Sequence, residues 1–123
     1  MVGNGIRVLV AEDNAPTGGM LLEVIPDDYR VDLVSDGQAA DLLLRAVSYD
    51  VLICDQHLGG GMPGRFPVQS ARRLGVFTIG ISGEAATEGF ESHCDIFMRK
   101  PVHVGRLRGM LDTVRAKKEG VIS

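Results

Sequence analysis

Five short apolar runs punctuate the chain, at Ile6–Ala11, Arg30–Val34, Val51–Cys54, Val76–Ile81 and Asp95–Met98. The first, third and fourth are nearly continuous in Val, Ile and Leu instead of alternating with polar residues, which is the pattern of strands covered on both faces. Between the runs lie segments with helical spacing. Gly37–Val47 places Ala39, Leu42, Leu43 and Ala46 on one stripe, with Asp36 positioned to cap its start. Val102–Lys118 carries Val104, Leu107, Leu111 and Val114 on one face, with Arg106, Arg108, Arg115 and Lys117 elsewhere. Two further segments predict weaker helices: Pro16–Ile25, diluted by Gly18-Gly19, and the short Glu84–Glu91. Strands alternating with helices build repeated βα units, hence an α/β domain with one doubly wound parallel sheet. Right-handed crossovers then cover both faces with helices.

This parallel arrangement brings all strand C-termini to one edge, where open α/β sheets form their sites. The residues delivered there are chemically distinctive. The first strand runs into Glu12 and Asp13, the third into Asp55, the fourth into Ser82 and the fifth into Lys100-Pro101. A strand ending in Ser or Lys is commonplace, and each such residue alone reads as ordinary loop polarity. The ordered set, one contribution per strand, is far more specific. Clustered carboxylates raise one another's pKa unless a cation neutralises them. The available donors are hard oxygens, which suit Mg²⁺ and not zinc or copper. One carboxylate acting as nucleophile, a lysine supplying positive charge and a hydroxyl supplying a hydrogen bond together fit a phosphoryl-accepting site.

Size and composition agree with a single domain over residues 1–123, with about 119–123 as a frayed tail. At 45% hydrophobic and 24% charged residues the chain is of ordinary globular composition. Its net charge of −3 argues against direct nucleic-acid binding by the domain as a whole. Cys54 and Cys94 lack metal-site spacing and read as reduced thiols. There is no membrane-span-like run and no signal-peptide pattern, so a cytoplasmic location and no membrane partner are expected. His93 and His103 read as surface residues. The cations between Arg99 and Lys118 read as a solvated helix face, with a charged docking or dimerisation patch as the sharper alternative.

The segments VAEDN (10–14), YDVLICD (49–55), TIGIS (78–82) and FMRKP (97–101) resemble the motifs of the response-regulator receiver domain, and the resemblance covers essentially the whole chain. It implies the flavodoxin-like strand order 2-1-3-4-5. It also implies that Asp55 accepts a phosphoryl group from a phosphohistidine on a histidine kinase or phosphotransfer protein. Asp13, the Asp55 carboxylate and the His57 backbone carbonyl would ligate Mg²⁺, with Glu12 helping through water. Ser82 and Lys100 would hold the phosphoryl oxygens, and Phe97 would be the switch aromatic responding to Ser82. The output partner would dock on the face made by the fourth helix, fifth strand and fifth helix. The domain would be a phosphoacceptor and not a turnover enzyme, either standing alone without an output domain or excised from a hybrid histidine kinase.

Two departures from the family pattern stand out. The segment after Asp55 reads QHLGGGMPG, with Gly59 where the family has proline and Met62-Pro63 displaced downstream. The entropy of Gly59-Gly60-Gly61 predicts a mobile loop; the run lacks the Gly-Lys-Ser/Thr of a P-loop. His57 beside the site is a candidate for tuning the acyl-phosphate lifetime. The stretch from Ser82 to Lys100 is short, and Gly89 interrupts its helix, which puts the fourth helix in question. These features motivate a second reading, an unphosphorylated pseudo-receiver that serves as an interaction module. A third, a Mg²⁺-dependent phosphatase of the haloacid-dehalogenase type, conflicts with His57 standing where that chemistry needs a second Asp.

Overall fold

The computed structural model describes residues 5–120. Five strands, β1 (Arg7–Ala11), β2 (Arg30–Val34), β3 (Val51–Asp55), β4 (Phe77–Ser82) and β5 (Ile96–Arg99), form one parallel sheet in the order 2-1-3-4-5. This is the α/β class and strand order expected above. Helices α1 (Ala15–Val24) and α5 (Val104–Lys118) cover one face, while α2 (Gly37–Ala46), α3 (Arg65–Arg73) and α4 (Glu88–Glu91) cover the other. The alternation of strand side chains divides the core accordingly. Val8, Val10, Ile53, Ile79 and Ile81 pack with Leu21, Leu107 and Leu111, whereas Leu9, Leu52 and Cys54 pack with Leu44, Val68, Ala71 and Phe90. A central strand must therefore be apolar at every position, which is why β1, β3 and β4 read as continuous runs.

The helices differ from their expected form in instructive ways. Asn14 caps α1, its side chain accepting from the Thr17 amide, and Asp36 caps α2 in the same manner through Ala39. The buried stripe of α2 is Gly37, Ala40 and Leu44, one position out of phase with the expected one, so Leu42 is 68% exposed. The choice among three consecutive leucines is made by the docking angle, which periodicity does not contain. Helix α3 has no counterpart among the expected helices. Pro67 and flanking polar residues obscure its pattern, yet a proline in the first turn removes an N–H that has no intrahelical partner.

The fourth helix shrinks to one turn, Glu88–Glu91. Phe90 holds it, fully buried against Gly80 of β4: a Cβ at that position would lie 2.5 Å from a Phe90 ring carbon and 2.6 Å from Cys94 Sγ. Helix α5 begins one residue after His103, whose Nδ1 accepts from the Arg106 amide, and closes through the amides of Glu119 and Gly120; residues 121–123 lie outside the described part. Several cations expected on a solvated face are tethered: Arg108 donates to the Val24 carbonyl, Arg115 pairs with Asp28, and Lys118 pairs with Asp50. No helix among the described residues is long and apolar enough to cross a membrane.

Candidate functional site

The parallel register places Glu12 and Asp13 beyond β1, Asp55 at the end of β3, Ser82 at the end of β4 and Lys100 just beyond β5. Central strands β1 and β3 are neighbours, so their terminal acids converge. Oxygen atoms of Glu12, Asp13 and Asp55 all lie within 4.8 Å of one another. Lys100 reaches back across the edge, with Nζ 3.0 Å from Asp55 Oδ2 and 2.9 Å from Glu12 Oε1. The remaining carboxylate oxygens are held by backbone, Glu12 Oε2 by the Asn14 amide and Asp55 Oδ1 by the His57 amide. Glu12 and Asp55 are buried, whereas Asp13 is exposed.

Charge balance follows from this geometry. Burial pushes the Glu12 carboxyl above its usual range and the proximity of Asp55 adds to this, with the Lys100 ammonium acting in the opposite direction. Burial alone would lower Lys100, but its hydrogen bonds to Glu12 and Asp55 outweigh that and raise it. The lysine is therefore a fixed cation between two acids, and three carboxylates still face one ammonium. An all-oxygen cluster with surplus negative charge and one exposed, solvent-facing acid fits a hard divalent cation such as Mg²⁺.

The loop after Asp55 forms one wall of the site. Gly59 bridges to Asp36 at the start of α2, and a Cβ there would lie 3.6 Å from Asp13 Oδ2. Gly60 and Gly61 have φ of +80° and +89°, so this path requires residues tolerant of the left-handed region. His57 is exposed at the rim, its Nε2 2.8 Å from Glu84 Oε2. Phe97 is half-buried and packs edge-on against Phe90, with ring centroids 6.2 Å apart. His93, two residues after α4, contacts the Gly89 carbonyl through Nδ1. Neither it nor His103 takes part in the site.

One residue of the site carried no signal in the sequence. Gln56, immediately after Asp55 and 4% exposed, turns its side chain sideways to Ser82 and to the β4–α4 loop. A glutamine at the start of a loop reads as solvated, and only its burial sets it apart.

No family model matches the chain. A transcriptional regulatory protein, TctD of Salmonella typhimurium, is 27% identical over 95% of the chain; the chain spans 55% of that protein, about half the length of the curated relatives it matches. Among solved structures, a CheY-like receiver domain from Methanospirillum hungatei superposes with a TM-score of 0.81 at 18% identity, covering 96% of this chain and 99% of that one. The receiver domain of the sensor histidine kinase PA1611 from Pseudomonas aeruginosa gives 0.80 at 21% identity over 91% and 98%; that protein holds a magnesium ion in its active-site cleft. A Francisella response-regulator receiver domain gives 0.77 at 21% identity over 92% and 98%. The chain therefore has the CheY-like fold of response-regulator receiver domains.

Proposed function

We propose that this domain is a signalling receiver of a two-component system, which accepts a phosphoryl group on Asp55 from the phosphohistidine of a histidine kinase or phosphotransfer protein. The observation that carries this reading is the placement of Lys100 Nζ 3.0 Å from the Asp55 carboxylate, inside the cluster of Glu12, Asp13 and Asp55. An Asp55 oxygen attacks the phosphorus, and an O–P bond forms as the P–N bond to the donor imidazole breaks. The imidazole nitrogen keeps the electron pair and takes a proton from solvent. Lys100 balances charge on the transferring oxygens, and the Ser82 hydroxyl donates to one of them. Asp13, Asp55 and the His57 carbonyl would hold Mg²⁺, with Glu12 helping through water. When bound there, the ion supplies the positive charge that lets an anionic donor approach three carboxylates.

In this reading the domain is a phosphoacceptor and not a turnover enzyme, and Phe97 with Ser82 forms the switch that changes the face of α4, β5 and α5 toward an output partner. Incubation with phosphoramidate and Mg²⁺ is expected to add one phosphoryl group by intact-mass measurement. Asp55→Asn and removal of the metal with chelator are each expected to abolish it. Label that persists in Asp55→Asn would show the acceptor to be misassigned. No label on the wild type would favour the pseudo-receiver interaction module, which the one-turn α4 also suits.

A further inference from the structure

The side chain of Gln56 makes a closed set of hydrogen bonds that the phosphoacceptor chemistry does not require. Its Oε1 accepts from the Thr87 amide at 2.7 Å and from Thr87 Oγ1 at 3.1 Å, which fixes which end of the amide is oxygen. Its Nε2 then lies 3.3 Å from Ser82 Oγ, 3.2 Å from the Ala85 carbonyl and 3.2 Å from His57 Nε2. Three neighbours compete for two hydrogens. His57 Nε2 also lies 2.8 Å from Glu84 Oε2, an oxygen that can only accept; in the tautomer with hydrogen on Nε2, His57 accepts nothing from Gln56. Ser82 and Ala85 then take both Gln56 hydrogens.

Consequences follow at both ends of the side chain. Ser82 Oγ, fully buried, accepts from Gln56 and from the Glu84 amide at 3.1 Å. With both lone pairs engaged, the hydroxyl keeps only a proton to give, so it is preset as a donor. At the other end Thr87 is the N-cap residue of α4, and its carbonyl accepts from the amides of Phe90 and Glu91. Phe90 in turn is plugged against Gly80 and touches Phe97. The chain of contacts from Ser82 through Gln56 and Thr87 to Phe90 is continuous.

We propose that Gln56 is a positioning residue that orients the Ser82 hydroxyl as a donor and ties its movement to Thr87, so that modification of Asp55 displaces the segment 83–91. This rests on Asp55 being the phosphoacceptor, and it adds a second connection from Ser82, separate from Phe97. A one-turn helix has few hydrogen bonds of its own to resist displacement, which suits a direct side-chain tether to its cap.

The test reads the amide resonances of Thr87, Glu88 and Gly89 before and after phosphoramidate and Mg²⁺, with the label counted by mass. In the wild type those resonances are expected to shift on labelling. Gln56→Met preserves side-chain length and removes every side-chain hydrogen bond; label is expected to accumulate several-fold more slowly, because Ser82 loses one of its two donors, and the shifts at full label are expected to be lost. Thr87→Pro leaves the buried glutamine in place and removes both donors to its Oε1. The Thr87 φ of −84° accommodates proline, so this variant covers the case in which Gln56→Met does not fold. The same loss of shifts with retained label is expected, read at Glu88 and Gly89 because proline carries no amide proton. Labelled variants whose resonances shift as in the wild type would overturn the coupling alone, and Gln56→Met labelling at the wild-type rate would overturn the orienting of Ser82; where Gln56→Met takes no label, the Thr87→Pro arm decides the coupling. Absence of label on the wild type would overturn the phosphoacceptor reading and the coupling with it.

Discussion

At the scale of single residues, burial decides chemistry more than identity does. Cys54 is enclosed in β3, and burial pushes its thiol well above the ordinary value, with Cys94 nearby adding to the effect. Cys94 is half-buried and burial, reinforced by Asp95 and Glu91, pushes it up to about 12 from an ordinary 9.0. Because thiolate is the reactive form, neither is expected to react appreciably with a thiol reagent at pH 8 in the folded protein, while both react in urea. Fast labelling of native Cys94 would contradict this. The sign for stability follows: above about pH 9 the unfolded chain loses thiol protons that the folded chain retains, so stability declines as pH rises from there toward 12. Tyr49 behaves alike, its hydroxyl donating to Asp32 Oδ2 at 2.6 Å; burial and then that carboxylate raise it. Tyr49→Phe is expected to cost about 1–2 kcal/mol in urea unfolding.

At the scale of elements, α4 shows how one side chain substitutes for a helix. Four residues bury little surface, yet Phe90 closes the sheet face that a longer helix would cover. Phe90→Ala is expected to destabilise the fold by about 3–5 kcal/mol through lost burial and a cavity over Gly80, read from the denaturation midpoint. Gly80→Ala would push a methyl against the same ring and is expected to destabilise as well. A shift under about 1 kcal/mol for Phe90→Ala would show the plug to be dispensable. The shortness of this element was legible from Gly89 and the chain length between Ser82 and Lys100, but the anchoring role of Phe90 was not: a lone aromatic among acids has no period. Helix α3 is hidden in the sequence because Pro67 disrupts its pattern in a turn where proline does no harm. The stripe of α2 reads one residue off because Leu42, Leu43 and Leu44 are equivalent until the helix docks.

At the scale of the whole molecule, the sheet edge concentrates charge contributed by distant parts of the chain. Lys100 offsets only part of the charge of Glu12, Asp13 and Asp55. A ligand that binds only the folded edge stabilises the entire domain by mass action. Mg²⁺ is therefore expected to raise the thermal midpoint of the wild type, through a stabilisation of about 2.7 kcal/mol at a hundredfold excess over its dissociation constant. Asp13→Ala is expected to remove this effect without unfolding the protein, since Asp13 is exposed. An equal Mg²⁺ response in that variant would place the ion elsewhere.

The residues at the strand ends were visible in the sequence because a buried strand and the polar residue that ends it are adjacent in the chain. Apolar continuity, cap residues and the alternation of strands with helices are all local properties, and they predict a parallel sheet with its edge, while the strand order came from the resemblance of the motifs. Tertiary structure alone decided the contacts across that edge. Lys100 meets Asp55 across 45 positions, and Gln56 meets Ser82 across 26. Those meetings depend on strand register and on the crossovers that set it, and no short window of sequence contains either. The same physics explains why Gln56 looked like a loop residue: its significance lies in the partners that folding brings to it.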